Sequence, residues 1–124
     1  MDFTYDFAEI NGKAPMIEFL DGLSVKERAK ILAYIEKLLE LKNSGIAPKQ
    51  NLSKHLDGGI FELRVGFKSR IARSLYFYEA EGKIIFTHGF VKKTQKTPKG
   101  EIARAKAIRQ SVRGEKNEHC GKVS

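Results

Sequence analysis

A single cysteine, Cys120, is all that this chain of 124 residues carries. A lone thiol in a polar terminal stretch excludes a disulfide framework. No apolar run approaches the roughly 18 residues that a bilayer span needs, and no charged-then-apolar signal segment opens the chain. These absences lead to the expectation of a cytoplasmic protein with no membrane role. A phosphate-cradling glycine loop is missing as well. His55, His88 and His119 are scattered without ligand spacing, so no metal site and no cofactor are expected. No Ser/His/Asp arrangement can be assembled. The last scarcity is local. In "HGFVKKTQKTPKGEIARAK" (88–106) no carboxylate stands before Glu101, although Lys92, Lys93, Lys96 and Lys99 do. A ligand for so many uncompensated donors has to be negatively charged.

What is present fits one domain, long enough to bury a core without disulfides or metals. The net charge of +8 is unevenly spread. Through Ala47 there are six Lys and Arg against eight Asp and Glu, a balance of −2; from Ile60 to Arg113 there are thirteen against four, a balance of +9. Such asymmetry favours a polyanionic partner such as nucleic acid, and a solvated basic surface is the plain alternative.

The order of elements is legible. Phe3 to Phe7 alternates as a short strand, and Pro15 suits the first turn of a helix over residues 14–22. Ser24 with Glu27 is a capping box for a second helix, whose Ala29, Leu32, Ala33, Ile35, Leu38, Leu39 and Leu41 roughly follow a period near 3.6. After a polar connection containing Pro48, Asp57-Gly58-Gly59 turns the chain into three strands, 60–65, 70–78 and 84–91. Pro98 or Gly100 marks the start of a final helix. This predicts an α+β fold, β-α-α-β-β-β-α, with a helical hairpin packed on one face of a small, mainly antiparallel sheet and the other face partly open. Residues 1–113 form the domain and 114–124 a polar, disordered tail. Phe61, Leu63, Val65, Leu75 and Phe86 are expected in the core, with Arg64 exposed on the opposite face. His88 shares an alternation phase with Phe86 and Phe90, which points to a core histidine, while His55 is undecided.

The cations carry the functional signal. Arg64, Arg73, Lys92, Lys93 and Lys96 come from successive strands and the hinge after the last, so a meander brings them together. Arginine offers a planar fork to phosphate oxygens, and lysine a compact charge. Cleavage of an RNA phosphodiester needs a deprotonated 2′-hydroxyl, a stabilised pentacovalent anion and a protonated leaving 5′-oxygen. Arginine and lysine supply the last two directly; from charge and spacing alone, a phosphate-binding surface without chemistry is the preferred reading. Lys68 and Arg70 of the basic hairpin loop, with Lys96 and Lys99 of the hinge, are the candidates for RNA-backbone contacts. Arg73 is a misfit, because it shares its phase with Ile71, Leu75 and Phe77. Either a bulge re-aims it or a buried partner holds it.

The stretches "GGIFELRV" (58–65), "RSLYFY" (73–78) and "HGFVKKTQKTPKGEIARAK" (88–106), with "FLDGL" (19–23), resemble toxins of the RelE/HigB superfamily, in its phage-derived HigB-like branch. The resemblance covers residues 3–113. It implies a RelE-like fold and a toxin of a type II toxin–antitoxin system. Such a toxin is a ribosome-dependent, metal-independent endoribonuclease that cleaves mRNA and inhibits translation. It also implies Arg64, Arg73, Lys92 and Lys93 as catalytic residues, with Arg73 a phosphate or transition-state ligand. The implied partners are a cognate antitoxin, a helix-turn-helix protein, together with the ribosome and mRNA. Unlike the familiar cleaving relatives, this chain has no tyrosine after Tyr78, so no general base carries over. A binding-only toxin of the same fold that inhibits DNA gyrase is one alternative; a non-catalytic RNA-binding module is another.

Overall fold

A computed structural model of the chain describes residues 2–92 and 96–123, with side chains through Gly114. In chain order its elements are β1 (Thr4–Phe7), α1 (Pro15–Asp21), α2 (Val25–Asn43), β2 (Ser53–Asp57), β3 (Ile60–Gly66), β4 (Ile71–Glu79), β5 (Lys83–Lys92) and α3 (Lys99–Val123). The α+β class with a helical hairpin on a small sheet is as the sequence predicts. One strand is additional. β2 lies where a polar connection was expected, pairs antiparallel with β3 and buries only Ser53. An edge strand with one buried residue shows no apolar alternation, and its sequence gives no period to detect. The helical trace of α3 runs past Gly114 into the stretch whose composition suggests a tail. Among the described residues, no helix is long and apolar enough to cross a membrane.

The five strands form one sheet in the order β1-β5-β4-β3-β2. Only β1 runs parallel to its neighbour, β5. The hairpin of α1 and α2 packs on one face. Pro15 starts α1, and the capping box starts α2: Ser24 Oγ accepts from the Glu27 N–H at 3.2 Å, and Glu27 Oε1 accepts from the Ser24 N–H at 3.1 Å. Ile31, Ile35 and Leu38, one stripe of α2, are fully buried in a core shared with Leu63, Val65, Tyr76, Ile84 and Phe86. Each such side chain contributes roughly 1.5–3 kcal/mol by leaving water. A row of rings crosses every strand on this face, with His55, Phe61, Tyr76, Phe86 and Phe7 as successive pairing partners. His55 is thereby accounted for. It lies edge-on to Phe61 with centroids 5.0 Å apart, and its Nε2 accepts from the Gly59 N–H at 3.1 Å.

Gly89 of β5 lies on the same face directly beneath Phe19 of α1, and a Cβ there would clash with the edge of the Phe19 ring. Only glycine allows that approach. Gly89→Ala is therefore expected to push α1 off the sheet and cost about 1–3 kcal/mol, as overpacking does. Thermal unfolding checks this; an unchanged midpoint would place the Phe19 ring elsewhere.

The opposite face is less open than the alternation suggests. α3 lies across it and builds a second core, with Ala105 and Ile108 packed among Ile60, Leu75, Phe77 and Ile85. Leu75 is buried as predicted, but against α3 and not under the hairpin, and Phe61 is only half-buried. Arg109 donates to the Gly58 carbonyl at 2.7 Å, Arg113 pairs with Glu79 at 3.0 Å, and Lys106 pairs with Asp57. These contacts fasten α3 along the sheet.

Candidate functional site

Sheet register assembles the site. β3 and β4 pair Glu62 with Leu75 and Arg64 with Arg73, while β4 and β5 pair Leu75 with His88, Arg73 with Phe90 and Ile71 with Lys92. Residues opposite one another in a ladder share a face. Glu62, Arg64, Arg73, His88 and Lys92 therefore all project on the α3 side. His88 reaches that side because of a bulge. The register shifts between Leu75 and Tyr76 so that Thr87 has no opposite number. Phe86 is thereby left on the hairpin face, and His88 on the other. Counting alternation along β5 gives His88 the phase of Phe86, and the bulge is why that phase is wrong.

Two arginines directly opposite would repel each other. Glu62 resolves this, and it also answers the misfit of Arg73. Arg73 has no exposed surface. Its Nη1 donates to Glu62 Oε1 at 3.1 Å and to Thr97 Oγ1 at 3.2 Å, and the Thr97 hydroxyl donates to Glu62 Oε2. Arg64 Nε stands 3.5 Å from the same carboxylate, with 17% of its side chain exposed. A single fully buried carboxylate thus joins two arginines of neighbouring strands to the hinge before α3. Arg73, expected as a phosphate ligand, is enclosed in this structure, where its guanidinium holds Glu62 and Thr97. Arg64 is the guanidinium of the pair that reaches solvent.

A second tie runs parallel to the first. His88, fully buried, has Nδ1 3.1 Å from Thr87 Oγ1 and Nε2 3.1 Å from Glu101 Oε1. An ionised carboxylate only accepts, so Nε2 carries the proton. Burial pushes the imidazole below its ordinary pKa of 6.5, against the raising effect of Glu101, and Arg104 adds to the lowering. Because the folded value is the lower one, the unfolded chain takes up the proton first. Stability is complete above about pH 6.5 and is lost as the pH falls towards the folded value. The unfolding midpoint should accordingly drop between roughly pH 7 and pH 5, and His88→Leu should flatten that part of the curve.

The remaining expected residues lie further out. Lys92 is exposed at the end of β5, and Lys93 lies outside the described residues. Lys96 and Lys99 are exposed on either side of buried Thr97 and line a hollow of about 330 Å³ with Asp57, Ile102 and Lys106. Lys68 and Arg70 are not part of this cluster. Their turn packs against the start of α2, where Arg70 pairs with Glu27 at 2.7 Å. The Ser24 N–H, with Arg70 second, holds the Glu27 carboxyl below its usual range.

Glu62, Thr97 and Glu101 were not anticipated as site residues. A signal was present. Only four carboxylates occur between Ile60 and Arg113, and Glu62 shares the strand phase of Arg64. In a segment so poor in acid, a carboxylate on the cationic face is there to hold cations in place.

No curated protein matches this chain. The family model described as Phage derived protein Gp49-like (DUF891) matches residues 18–110, which is 93 of the 124. The matched span contains both arginines of the pair, their carboxylate and the whole hinge. That family is RelE/HigB-type and toxin-like, associated with toxin–antitoxin pairs, and it implies an antitoxin partner. The chain belongs to the phage-derived Gp49-like family.

Proposed function

We propose that this chain is the toxin of a type II pair and a metal-independent endoribonuclease that cuts mRNA on the ribosome, in the cytoplasm. The observation that carries the reading is the α3-side face, where Arg64 reaches solvent from a buried carboxylate clamp, exposed Lys92 projects from the same face of the sheet, and Lys96 and Lys99 are exposed on either side of the clamp residue Thr97. The chemistry follows from those groups. The 2′-oxygen attacks phosphorus as its proton passes to solvent water, and a pentacovalent anion forms. The Arg64 fork neutralises the developing charge, held in place beforehand by Glu62. The bond to the 5′-oxygen breaks, and a lysine ammonium of the hinge, with Lys92 or Lys93 foremost, gives that oxygen its proton. A cyclic phosphate and a free 5′-hydroxyl result.

Binding-only inhibition of DNA gyrase is the second reading. It is favoured by one observation: His88, the imidazole on this face, is buried and held by Glu101, so it is not placed to take the 2′-proton. An antitoxin with an acidic segment over Arg64 and Lys92 would block either activity by neutralising the cluster. Expression in cells separates the two. The nuclease reading predicts halted translation with new mRNA 5′ ends inside ribosome-occupied regions. Intact mRNA together with blocked supercoiling would overturn it.

A further inference from the structure

Outside this site, a basic hollow lies at the sheet edge. β2 pairs with β3 only as far as Ser53 opposite Leu63, so Arg64 to Gly66 have no strand beyond them. A groove of about 520 Å³ opens there, between the second half of α2 and the segment leading into β2. Lys37 and Lys49 contribute charge to its lining, Tyr34 an aromatic ring and Asn51 an amide, beside Arg64 of the sheet edge; among the described residues no carboxylate lines it. We propose that this groove binds one unpaired nucleotide of a single-stranded RNA, with its base against Tyr34 and Asn51 and its phosphates against Lys37 and Lys49.

Volume, charge and chemistry support this occupant. The groove falls within the range of small-ligand pockets, roughly 300–1,000 Å³. Proteins hold single-stranded RNA by combining cations for the backbone with an aromatic face and amide groups for the base. Tyr34 is fixed for such a role, half-buried against the core with Lys30 Nζ 5.8 Å from its ring centroid. An acidic peptide would satisfy the lysines but would leave the ring and the amide without a use. The groove is also continuous with other basic surface. Arg64 belongs both to the groove and to the carboxylate clamp. At the other end Lys30 donates to the Gly66 carbonyl at 2.5 Å and lines the next hollow with Lys68 and Arg70. An RNA strand held at Arg64 therefore has a cationic path past Gly66 to the β3–β4 turn, which gives those two residues the backbone role that their distance from the hinge otherwise denies them.

The inference rests on the reading that the chain acts on RNA, and its test stands apart from cleavage. The full chain is titrated with a short single-stranded oligoribonucleotide, with adenosine monophosphate and with an acidic peptide, while backbone amide shifts are followed. Saturable shifts at Tyr34, Asn51, Leu52 and Gly66 with the RNA are expected, weaker with the monophosphate. Tyr34→Ala should weaken RNA binding about tenfold, the lower end for removing one base-stacking ring. Because Tyr34 also packs on the core, Lys37→Glu with Lys49→Glu, both exposed, is the second variant. It should lower the salt slope of binding by about 0.7 for each phosphate that the two lysines no longer neutralise. RNA shifts confined to the hinge and the Arg64 face would overturn the groove and leave the nuclease reading standing. Groove shifts with the peptide but not the RNA would overturn it in favour of a protein surface. No shifts with any probe would overturn it too, while mapped mRNA ends judge the nuclease reading separately.

Discussion

Arg73→Ala is expected to unfold much of this protein, and any loss of activity would follow from that. The guanidinium is fully buried and shares Glu62 with Arg64 and Thr97. Removing it leaves a buried carboxylate short of its main counter-charge and opens a cavity between β3, β4 and the hinge. Breaking a buried pair on one side typically costs about 3–5 kcal/mol, whereas replacing both partners by apolar groups is often tolerated. Thermal unfolding should show a drop of roughly 10 °C or more for Arg73→Ala. The double variant Arg73→Met with Glu62→Leu should lose less. An unaltered midpoint for Arg73→Ala would mean that water reaches Glu62 and that the clamp is not closed.

Arg64→Ala should show the opposite behaviour. Its side chain is partly in solvent, and Glu62 retains Arg73 and Thr97 when Arg64 is gone. The fold should survive with a modest loss of stability. Cleavage by the proposed mechanism, by contrast, loses the preorganised fork assigned to the phosphate, and removal of such a donor costs about 10²–10³ in rate. Arg64→Lys should recover only part of this, since an ammonium brings the charge without the planar pair of donors. Rates measured on folded variants check both statements. Lysine restoring full activity would show that charge alone matters at this position.

The difference between these two arginines shows where the sequence can be read and where it cannot. The capping box at Ser24 follows from a local rule and matches the structure, as does the alternation of β3. Of the α2 stripe, Ile35, Leu38 and Leu39 are buried, whereas Ala29 and Ala33 are exposed and Ile31, outside the expected stripe, is fully buried. Arg73 is visible in the sequence as a misfit among Leu75 and Phe77, but its solution is not. A reading with a single core asks how a charge could sit among apolar neighbours. The molecule has two cores, and the second, under α3, holds a carboxylate on the neighbouring strand at the required register. Strand pairing is non-local, so no pattern within β4 reveals Glu62. The bulge at Thr87 has the same character: one unpaired residue reverses every phase after it, and the sequence of β5 contains nothing that marks the position. β2 escapes notice because an edge strand that buries one serine has no apolar face. The basic hinge, in contrast, is legible as composition, because lysines without nearby carboxylates need no register to be recognised.

Whether the Arg64 face cuts mRNA on the ribosome is decided in a purified translation system. Ribosomes programmed with a defined mRNA are mixed with the protein, and the RNA is mapped by primer extension beside a ribosome-free control. The account predicts new 5′ ends only within ribosome-occupied mRNA, ends that carry a hydroxyl and that folded Arg64→Ala fails to produce. Uncut mRNA on stalled ribosomes, or cuts that persist undiminished in Arg64→Ala, would contradict it.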